Sequence, residues 1–253
     1  GLDPVGAAAF DTLIATLPIV AAVAAAGVVI GVLNLTGMGL MLSSLIVEVG
    51  GSSIWVILLL TALASFVLGM GLPTSAAYLL LAVLIAPALT RLGLPPIVAH
   101  MFIFYFGLVS AITPPVALAA YAAASIAGSD ANATAVESIR LGFVKLLVPF
   151  AFVTMPGLLM IGTGVEITIS IILTTIATAG ISIAFAGWLV RPLTGLERLA
   201  FLAGSLLVMW PTPVASTDAL TLGARILGLA ILVVATFRIV SGASHPVPET
   251  THN

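Results

Sequence analysis

The chain has 253 residues, of which 61% are apolar and 6% are charged, and its mean hydropathy is +1.33. Soluble domains carry about a quarter charged residues, so this composition predicts an all-α polytopic membrane protein. The net charge of −2 is uninformative about nucleic acid, but no basic stripe is present that would bind a phosphate backbone. Cysteine is absent, which excludes disulfides, thiolate catalysis and zinc–thiolate sites.

The first half of the chain contains apolar segments separated by glycine, proline and hydroxyl residues. Leu13–Leu33 predicts a membrane span, and Asn34–Val49 is short enough to favour an interfacial or re-entrant helix. Ser53–Leu68 and Ala76–Leu89 are partial spans joined by a break at Gly69–Ser75. They predict either one broken span or a hairpin that enters the membrane and returns, with the hairpin covering about residues 53–90.

A second break follows closely. Ile97–Ala111 and Val116–Ala127 are apolar arms on either side of Ser110-Ala-Ile-Thr-Pro-Pro115, so residues 97–127 predict a broken helix. In a helix interior Gly costs about 1 kcal/mol and Pro about 3 kcal/mol relative to Ala. Non-helical backbone at membrane depth is tolerated only where protein buries it or where it lines a polar cavity. Two neighbouring breaks therefore predict the ion and substrate site of a transporter.

The second half predicts a polar loop at Gly128–Arg140 and then further spans. These spans are Phe143–Ile161, Ile167–Leu189, Leu199–Trp210 and Leu220–Val240. Arg225 lies inside the last span, where we expect its side chain to snorkel. The polar tail, residues 241–253, is predicted to be disordered.

The residues at the first break have the chemistry of a cation and anion site. Gly69 and Gly71 allow close approach of the backbone, and Pro73 presets the turn. Thr74 and Ser75 supply uncharged oxygens, and the helix that starts near Ala76 directs a positive N-terminus inward, which favours a carboxylate. The alternative is a kinked helix whose glycine face packs against a neighbour.

Both breaks contribute to the predicted site. Pro114 and Pro115 stop the helix there, and Pro114 also moves Thr113 out of the α region. The alternative is a proline kink without a ligand. The predicted ligands for a hard monovalent cation such as Na⁺ are Gly69, Gly71, Thr74, Ala111 and Thr113. The predicted substrate-binding residues are Pro73, Ser75, Ser110, Pro114 and Pro115.

Ionisable residues form no catalytic constellation in this sequence, and we expect no enzyme activity and no organic cofactor. His100 is a candidate proton relay, but its place near the start of a span favours an interfacial histidine. Tyr78, Tyr105 and Tyr121 suit interfacial belts, and Tyr105 and Tyr121 also flank the second break.

Positive charges predict the orientation of the later spans. If residues 53–90 form a hairpin, five cations fall on one side of the membrane, and Arg91 and Arg225 fall on the other. The five are Arg140, Lys145, Arg191, Arg198 and Arg238. Cytoplasmic loops carry the excess of Lys and Arg, so the hairpin is predicted to open outward and the C-terminus to be cytoplasmic. A single crossing places Arg91 with the majority and is also compatible with the charge rule.

Four motifs resemble the fused permeases of the tripartite ATP-independent periplasmic (TRAP) transporters, in the branch served by TAXI-type binding proteins. They are Gly69-Met-Gly-Leu-Pro-Thr-Ser-Ala-Ala-Tyr78, Pro95-Pro-Ile-Val-Ala-His100, Phe104-Tyr-Phe-Gly107 and Ser110-Ala-Ile-Thr-Pro-Pro-Val-Ala-Leu-Ala-Ala-Tyr121. The resemblance is dense over about Ala7–Ile161. Gly187-Trp-Leu-Val-Arg-Pro-Leu193 and Leu196-Glu-Arg198 resemble the extra C-terminal spans of such permeases.

The resemblance implies an inverted-repeat secondary transporter of which this chain holds one repeat. Residues 1–161 resemble the second repeat of the large subunit, and residues 162–240 resemble a C-terminal extension. The first repeat and the small-subunit region are lacking, and the chain begins at Gly1 with no secretory signal pattern, so we expect a fragment or a processed piece.

Function follows from the same resemblance. It implies import of an organic anion, a carboxylate or an amino acid, together with Na⁺ across a bacterial or archaeal cytoplasmic membrane. The implied partners are a periplasmic substrate-binding protein, the remainder of the permease and the lipid bilayer. The alternative is a non-transporting membrane module, such as a channel segment or an assembly scaffold, in which the two breaks only pack.

Overall fold

The computed structural model describes residues 4–210 and 218–243, and the regular secondary structure within these ranges is helical. Three of the described helical segments are long and apolar enough to cross a membrane: Thr74–Arg91, Gly164–Ala186 and Ala219–Ser241. A bent pair, Val23–Leu33 with Met38–Gly50, becomes a fourth if it is counted as one span. The predicted all-α polytopic membrane fold is confirmed.

The described chain forms two compact units, which meet in sequence between Val136 and Glu137. The first unit contains the two predicted breaks, and the second contains the later apolar helices. The assignment of residues 1–161 to one repeat and of residues 162–240 to an extension stays a prediction.

The helices of the first unit follow the predicted segments closely. They are α1 (Pro4–Thr36), α2 (Met38–Gly50), α3 (Ile54–Gly69), α4 (Thr74–Leu84), α5 (Ala86–Arg91), α6 (Pro96–Val109) and α7 (Leu118–Ala127), with a 3₁₀ turn at Ser110–Ile112. Gly37 ends the first helix with a φ of 69°, and the segment Met38–Gly50 turns by 73° from Val23–Leu33. This bend agrees with an α2 that does not simply continue the first span.

Residues 54–91 form a hairpin and not a single crossing. The backbones of both α4 and α5 approach that of α3, and α3, α4 and α5 all pack against α6. Helix α5 starts 17 residues after the end of α3, and a straight continuation would carry it about 25 Å away at 1.5 Å per residue. The chain must therefore fold back at the Gly69 break.

The first departure from prediction in the second half of the chain is the polar segment after α7. Gly128–Arg140 is not a loop, because α8 spans Ala131–Gly142. Its alanines are strong helix formers, and the Asp130 carboxylate accepts a hydrogen bond from the Ala133 amide at 2.7 Å, as an N-cap does. Polar composition was therefore the wrong guide to this segment.

Phe143–Ile161 is not one continuous span either. Helix α9 covers only Val144–Thr154, contains Pro149, and gives way to a 3₁₀ turn at Pro156–Leu159. Two prolines remove backbone donors in this segment. Eleven helical residues reach about 16 Å, well short of a bilayer core of about 30 Å.

The remaining helices are α10 (Gly164–Ala186), α11 (Gly195–Val208) and α12 (Ala219–Ala243). The last helix therefore includes the first three residues of the predicted disordered tail, and residues 244–253 lie outside the described residues. Arg225, expected to snorkel, is instead only 7% exposed and lies within electrostatic reach of Asp218. Arg225 is therefore buried by neighbouring parts of the protein, contrary to the prediction.

Cations cluster at the end of the second unit where α10 stops and α11 starts. Arg140 Nε donates to the Phe185 carbonyl at 2.9 Å, and Arg198 donates to the carbonyls of Ala184 and Phe185 at 3.0 and 3.2 Å. These carbonyls lie at the C-terminus of α10, where helical donors run out and the dipole favours cations. Arg191 pairs with Glu197 at 2.6 Å at the start of α11. These three arginines therefore lie at one end of the second unit, and the side of the membrane that they face stays a prediction.

Candidate functional site

The closest backbone contact at the hairpin joins α3 to α6. A Cβ atom placed on Gly69 would lie 2.8 Å from both the Cα and the carbonyl oxygen of Gly107. Real Cβ atoms do not approach backbone this closely, so glycine is required for the two helices to meet at this distance. The contact brings the end of α3 against α6 one turn before the second break.

Ser110 connects the two breaks. Ser110 is 3% exposed, and its Oγ lies 3.0 Å from the Gly69 carbonyl and 2.7 Å from the Gly107 carbonyl, so its single hydroxyl hydrogen is shared between the carbonyls on the two sides of the glycine contact. The prediction that the hairpin turn meets the second break in space is therefore confirmed.

The hairpin turn itself uses the predicted glycine and proline chemistry. Gly71 has a φ of 77°, a left-handed conformation that is costly for other residues, and Pro73 precedes the first residue of α4. The side chains of Thr74 and Ser75 are exposed at that helix start. Since Pro73 has no N–H, the Gly69 carbonyl accepts instead from Leu72 N at 3.4 Å and from Ser110.

The second break frees backbone oxygens. Prolines at 114 and 115 occupy the positions that would donate to the Ala111 carbonyl in a 3₁₀ helix and in an α-helix, so that oxygen loses both helical partners. Thr113 lies in extended conformation, and its Oγ1 donates to the Val109 carbonyl at 2.8 Å. Its hydroxyl hydrogen is used inside the protein while its lone pairs stay available to a cation.

A backbone conformation and a tyrosine contact hold the chain between the second break and α7. Ala117 adopts a φ of 37° with no exposed surface, in the position that precedes α7. The Tyr121 hydroxyl donates to the Pro115 carbonyl at 3.1 Å, and Tyr121 packs on Ala117, Ala120 and Ala135. The peptide between Pro114 and Pro115 is cis.

The predicted ligand residues therefore fall into two kinds. Gly69 and Ser110 meet directly, but both are engaged in holding the breaks together. Gly71, Thr74, Ala111 and Thr113 carry oxygens that are not tied up as acceptors in the hydrogen bonds described above. The predicted roles in Na⁺ and substrate binding stay predictions.

Gly107 and the pairing of Tyr78 with His100 were not predicted from the sequence. Gly107 lies in a quoted motif, and Thr61, Ser65 and Gly69 form a stripe of small residues on the buried face of α3 that indicates a close helix neighbour. The Tyr78 hydroxyl lies 3.1 Å from His100 Nδ1, which links α4 to α6. His100, expected to be an interfacial histidine, is thus a contact between the hairpin and its neighbour.

The residues of the two breaks, 69–75 and 110–115, offer only neutral oxygens to a cation. Among the residues that the structure describes, no group of three or more His, Cys, Asp or Glu side chains converges. Carbonyl and hydroxyl oxygens suit a hard monovalent cation, and unwound helices are where membrane transporters present them.

Residues 1–167, a range that includes both breaks, match the family described as "Tripartite ATP-independent periplasmic transporter, DctM component". The match covers well over half of the 253 residues. No curated protein and no solved structure matches the chain at a significant level. The matched family is one of transport proteins, not of enzymes. The chain therefore belongs to the DctM component family of the tripartite ATP-independent periplasmic transporters.

Proposed function

We propose that this chain forms part of the membrane permease of a TRAP system of the TAXI type, which imports an organic anion with Na⁺. A periplasmic binding protein delivers the anion, a carboxylate or an amino acid, to the permease in a bacterial or archaeal cytoplasmic membrane. The observation that carries this proposal is the junction of two helix breaks through Ser110 and Gly69, at 3.0 Å. Discontinuous segments that meet are the usual construction of a transporter's ion and substrate site.

The proposed Na⁺ ligands are the oxygens that the breaks release. They are the carbonyls of Gly71 and Ala111 and the hydroxyls of Thr74 and Thr113. Gly69 is left out because its carbonyl already accepts from Leu72 N and Ser110 Oγ. A hydroxyl whose hydrogen is donated elsewhere, as in Thr113, turns its lone pairs outward and suits a cation better than an anion.

The proposed anion site lies at helix N-termini. Helices α4 and α7 both start directly after a break. Each therefore directs the free N–H groups of its first turn, and the positive end of its helix dipole, toward that break. Ser75 adds a donor at the start of α4, and Pro73, Pro114 and Pro115 shape the backbone around it. Ser110 positions the two breaks relative to each other.

The contacts also support movement of the hairpin and the broken helix as one body. Gly69 and Gly107 touch through backbone, and Ser110 and the Tyr78–His100 pair add hydrogen bonds between α6 and the hairpin. Backbone contacts of this kind leave little room for sliding. An elevator-like or rocking motion against a scaffold would therefore carry both breaks together.

We expect Thr74→Ala and Thr113→Ala each to raise the half-saturating Na⁺ concentration for uptake about tenfold, which corresponds to about 1.4 kcal/mol. Each change removes one neutral oxygen ligand and little packing volume. The measurement is uptake of labelled organic acids against Na⁺ concentration, in proteoliposomes that contain the permease assembly with its binding protein.

Thr74→Ser and Thr113→Ser are the matched controls, because they keep the oxygen and should keep the Na⁺ dependence. Ser110→Ala should lower the uptake rate by the same factor at every Na⁺ concentration, because it loosens the junction between the two breaks and removes no Na⁺ ligand. Unchanged Na⁺ dependence in both alanine variants would rule out these hydroxyls as ligands. A permease that carries no organic acid with its binding protein would instead favour the non-transporting module.

The topology is tested separately. We expect a cysteine placed at Ser129, in the Gly128–Lys145 region, to resist impermeant thiol reagents in intact cells, because the neighbouring cations predict a cytoplasmic location. A cysteine at Ser244, which lies outside the described residues, should behave in the same way. The native chain has no cysteine, so the background is low. Ready labelling of both positions would invert the orientation.

A further inference from the structure

A groove of about 470 Å³ opens between α11 and α12 at the cationic end of the second unit. Leu196 and Ala200 line it from α11, and Ile231 and Val234 line it from α12. Arg238 and Glu197 contribute the charged groups of the lining. The groove is therefore mainly apolar, with one guanidinium and one carboxylate in its wall.

Helix packing explains why a groove is present here. The two helices are closest at Gly204 and Gly228, where a Cβ on Gly228 would lie 2.6 Å from the Gly204 carbonyl. Nearer the cationic end, the facing positions include the small side chains of Ala200, Ala230 and Ala235. Small side chains between two antiparallel helices leave space that larger apolar neighbours enclose.

The acid in the groove wall does not neutralise Arg238. Glu197 is held by Arg191 at 2.6 and 3.1 Å and by the Thr194 amide at 2.8 Å. The hydrogen bond from Arg191 is the largest cause, and that from Thr194 the next, of a Glu197 pKa that is lowered to about 2. Glu197 is therefore ionised at neutral pH, and its negative charge is balanced by Arg191. Arg238 is exposed and, within residues 4–210 and 218–243, has no side-chain hydrogen bond or ion pair.

The neighbouring arginines already donate hydrogen bonds within the protein. Arg140 and Arg198 donate to the last carbonyls of α10, as described above. Among the described residues at this end, Arg238 is therefore the guanidinium that remains available to an external anion, and its neighbours reinforce the positive potential. The stretch of α12 that is long and apolar enough to cross a membrane ends at Ser241, three residues after Arg238. A span over this stretch would place the guanidinium at headgroup level and the apolar walls at acyl-chain depth.

We propose that the α11–α12 groove binds one anionic phospholipid, with its phosphate on Arg238 and one acyl chain between Leu196, Ala200, Ile231 and Val234. The groove is apolar along its length and cationic at one end, and a phospholipid has the complementary arrangement. Such a lipid would tie the end of α12 to α11 and make the stability of the second unit depend on the lipid composition of the membrane.

Native mass spectrometry of the purified chain in a neutral detergent tests this directly. We expect phosphatidylglycerol to bind about fivefold more tightly than phosphatidylcholine with the same acyl chains, which corresponds to about 1 kcal/mol for one cation near an anionic headgroup. Arg238→Gln should abolish this preference and bind both lipids equally. Arg91→Gln, which changes an exposed arginine in the first unit, should keep it.

A second variant tests the acyl chain. Ala200→Phe should fill the groove and weaken both lipids while the thermal unfolding midpoint stays near that of the parent chain. Equal binding of the two lipids by the parent chain would overturn the proposal. Competition by glycerophosphoglycerol, which has no acyl chain, at the same concentration as the lipid would also overturn it. So would a dimer mass that forms only when lipid is absent, because a second copy would then be the occupant.

Discussion

Gly69→Ala should reduce transport by the permease assembly at least tenfold. The new Cβ would lie 2.8 Å from the Cα and carbonyl oxygen of Gly107, and neither backbone can move aside alone. The α3 and α6 helices must separate, which stretches the 3.0 Å hydrogen bond from Ser110 to the Gly69 carbonyl. Overpacking of this kind destabilises a protein by about 1–3 kcal/mol. Uptake rate and thermal unfolding of the purified assembly measure the two effects.

Two neighbouring glycines separate the possible causes. Gly107→Ala should be tolerated, since its Cβ would meet only the flexible end of Leu81, at 2.8 Å from Cδ1. Gly71→Ala meets no atom within 4 Å but must hold a φ of 77°, so it should cost about 1 kcal/mol through backbone conformation alone. If Gly69→Ala transports like Gly107→Ala, the junction is more compliant than its geometry indicates.

Gly228→Ala should destabilise the second unit by about 1–3 kcal/mol and leave the Na⁺ dependence of uptake unchanged. A Cβ on Gly228 would lie 2.6 Å from the Gly204 carbonyl and 2.8 Å from the Val208 amide, so α12 must move away from α11. Helix association in membranes depends on such close contact between small residues, because lipid is as apolar as the helix face. Thermal unfolding monitored by circular dichroism measures the loss.

Gly223→Ala is the matched control in the same helix. No atom of the described residues lies within 4 Å of the Cβ that alanine would add, and alanine is the better helix former by about 1 kcal/mol, so stability should stay constant or rise. Equal unfolding midpoints for the two variants would mean that α11 and α12 are not held together at Gly204 and Gly228.

The two breaks were predictable because their signal is local. Gly71 and Pro73 in one segment, and Pro114 and Pro115 in the other, remove helical donors or favour a non-helical φ regardless of what surrounds them. A local signal gave the wrong prediction at Gly128–Arg140. Polar residues there indicated a loop, whereas Asp130 and the alanines that follow it build α8.

Partners across the fold were not predictable, because they depend on contacts between residues distant in sequence. Gly69 needs Gly107, which lies 38 positions later, and no spacing rule connects them. Arg140 and Arg198 looked like loop charges, and they are donors to the end of α10. Arg225 looked as if it would reach the membrane surface, and it is buried.

Composition and motifs by themselves determined that this is a polytopic α-helical membrane protein of the TRAP permease family with two helix breaks. These conclusions rest on properties of short stretches of chain: hydropathy, helix-breaking residues and motif identity. Such properties can be read from the sequence without knowing the fold. Only the tertiary structure decided that residues 54–91 form a hairpin, that Ser110 joins its turn to the second break, and that an apolar groove lies between α11 and α12. Arg238 lines that groove and has no side-chain partner among the residues that the structure describes. Each of these features depends on how closely residues distant in sequence pack against one another.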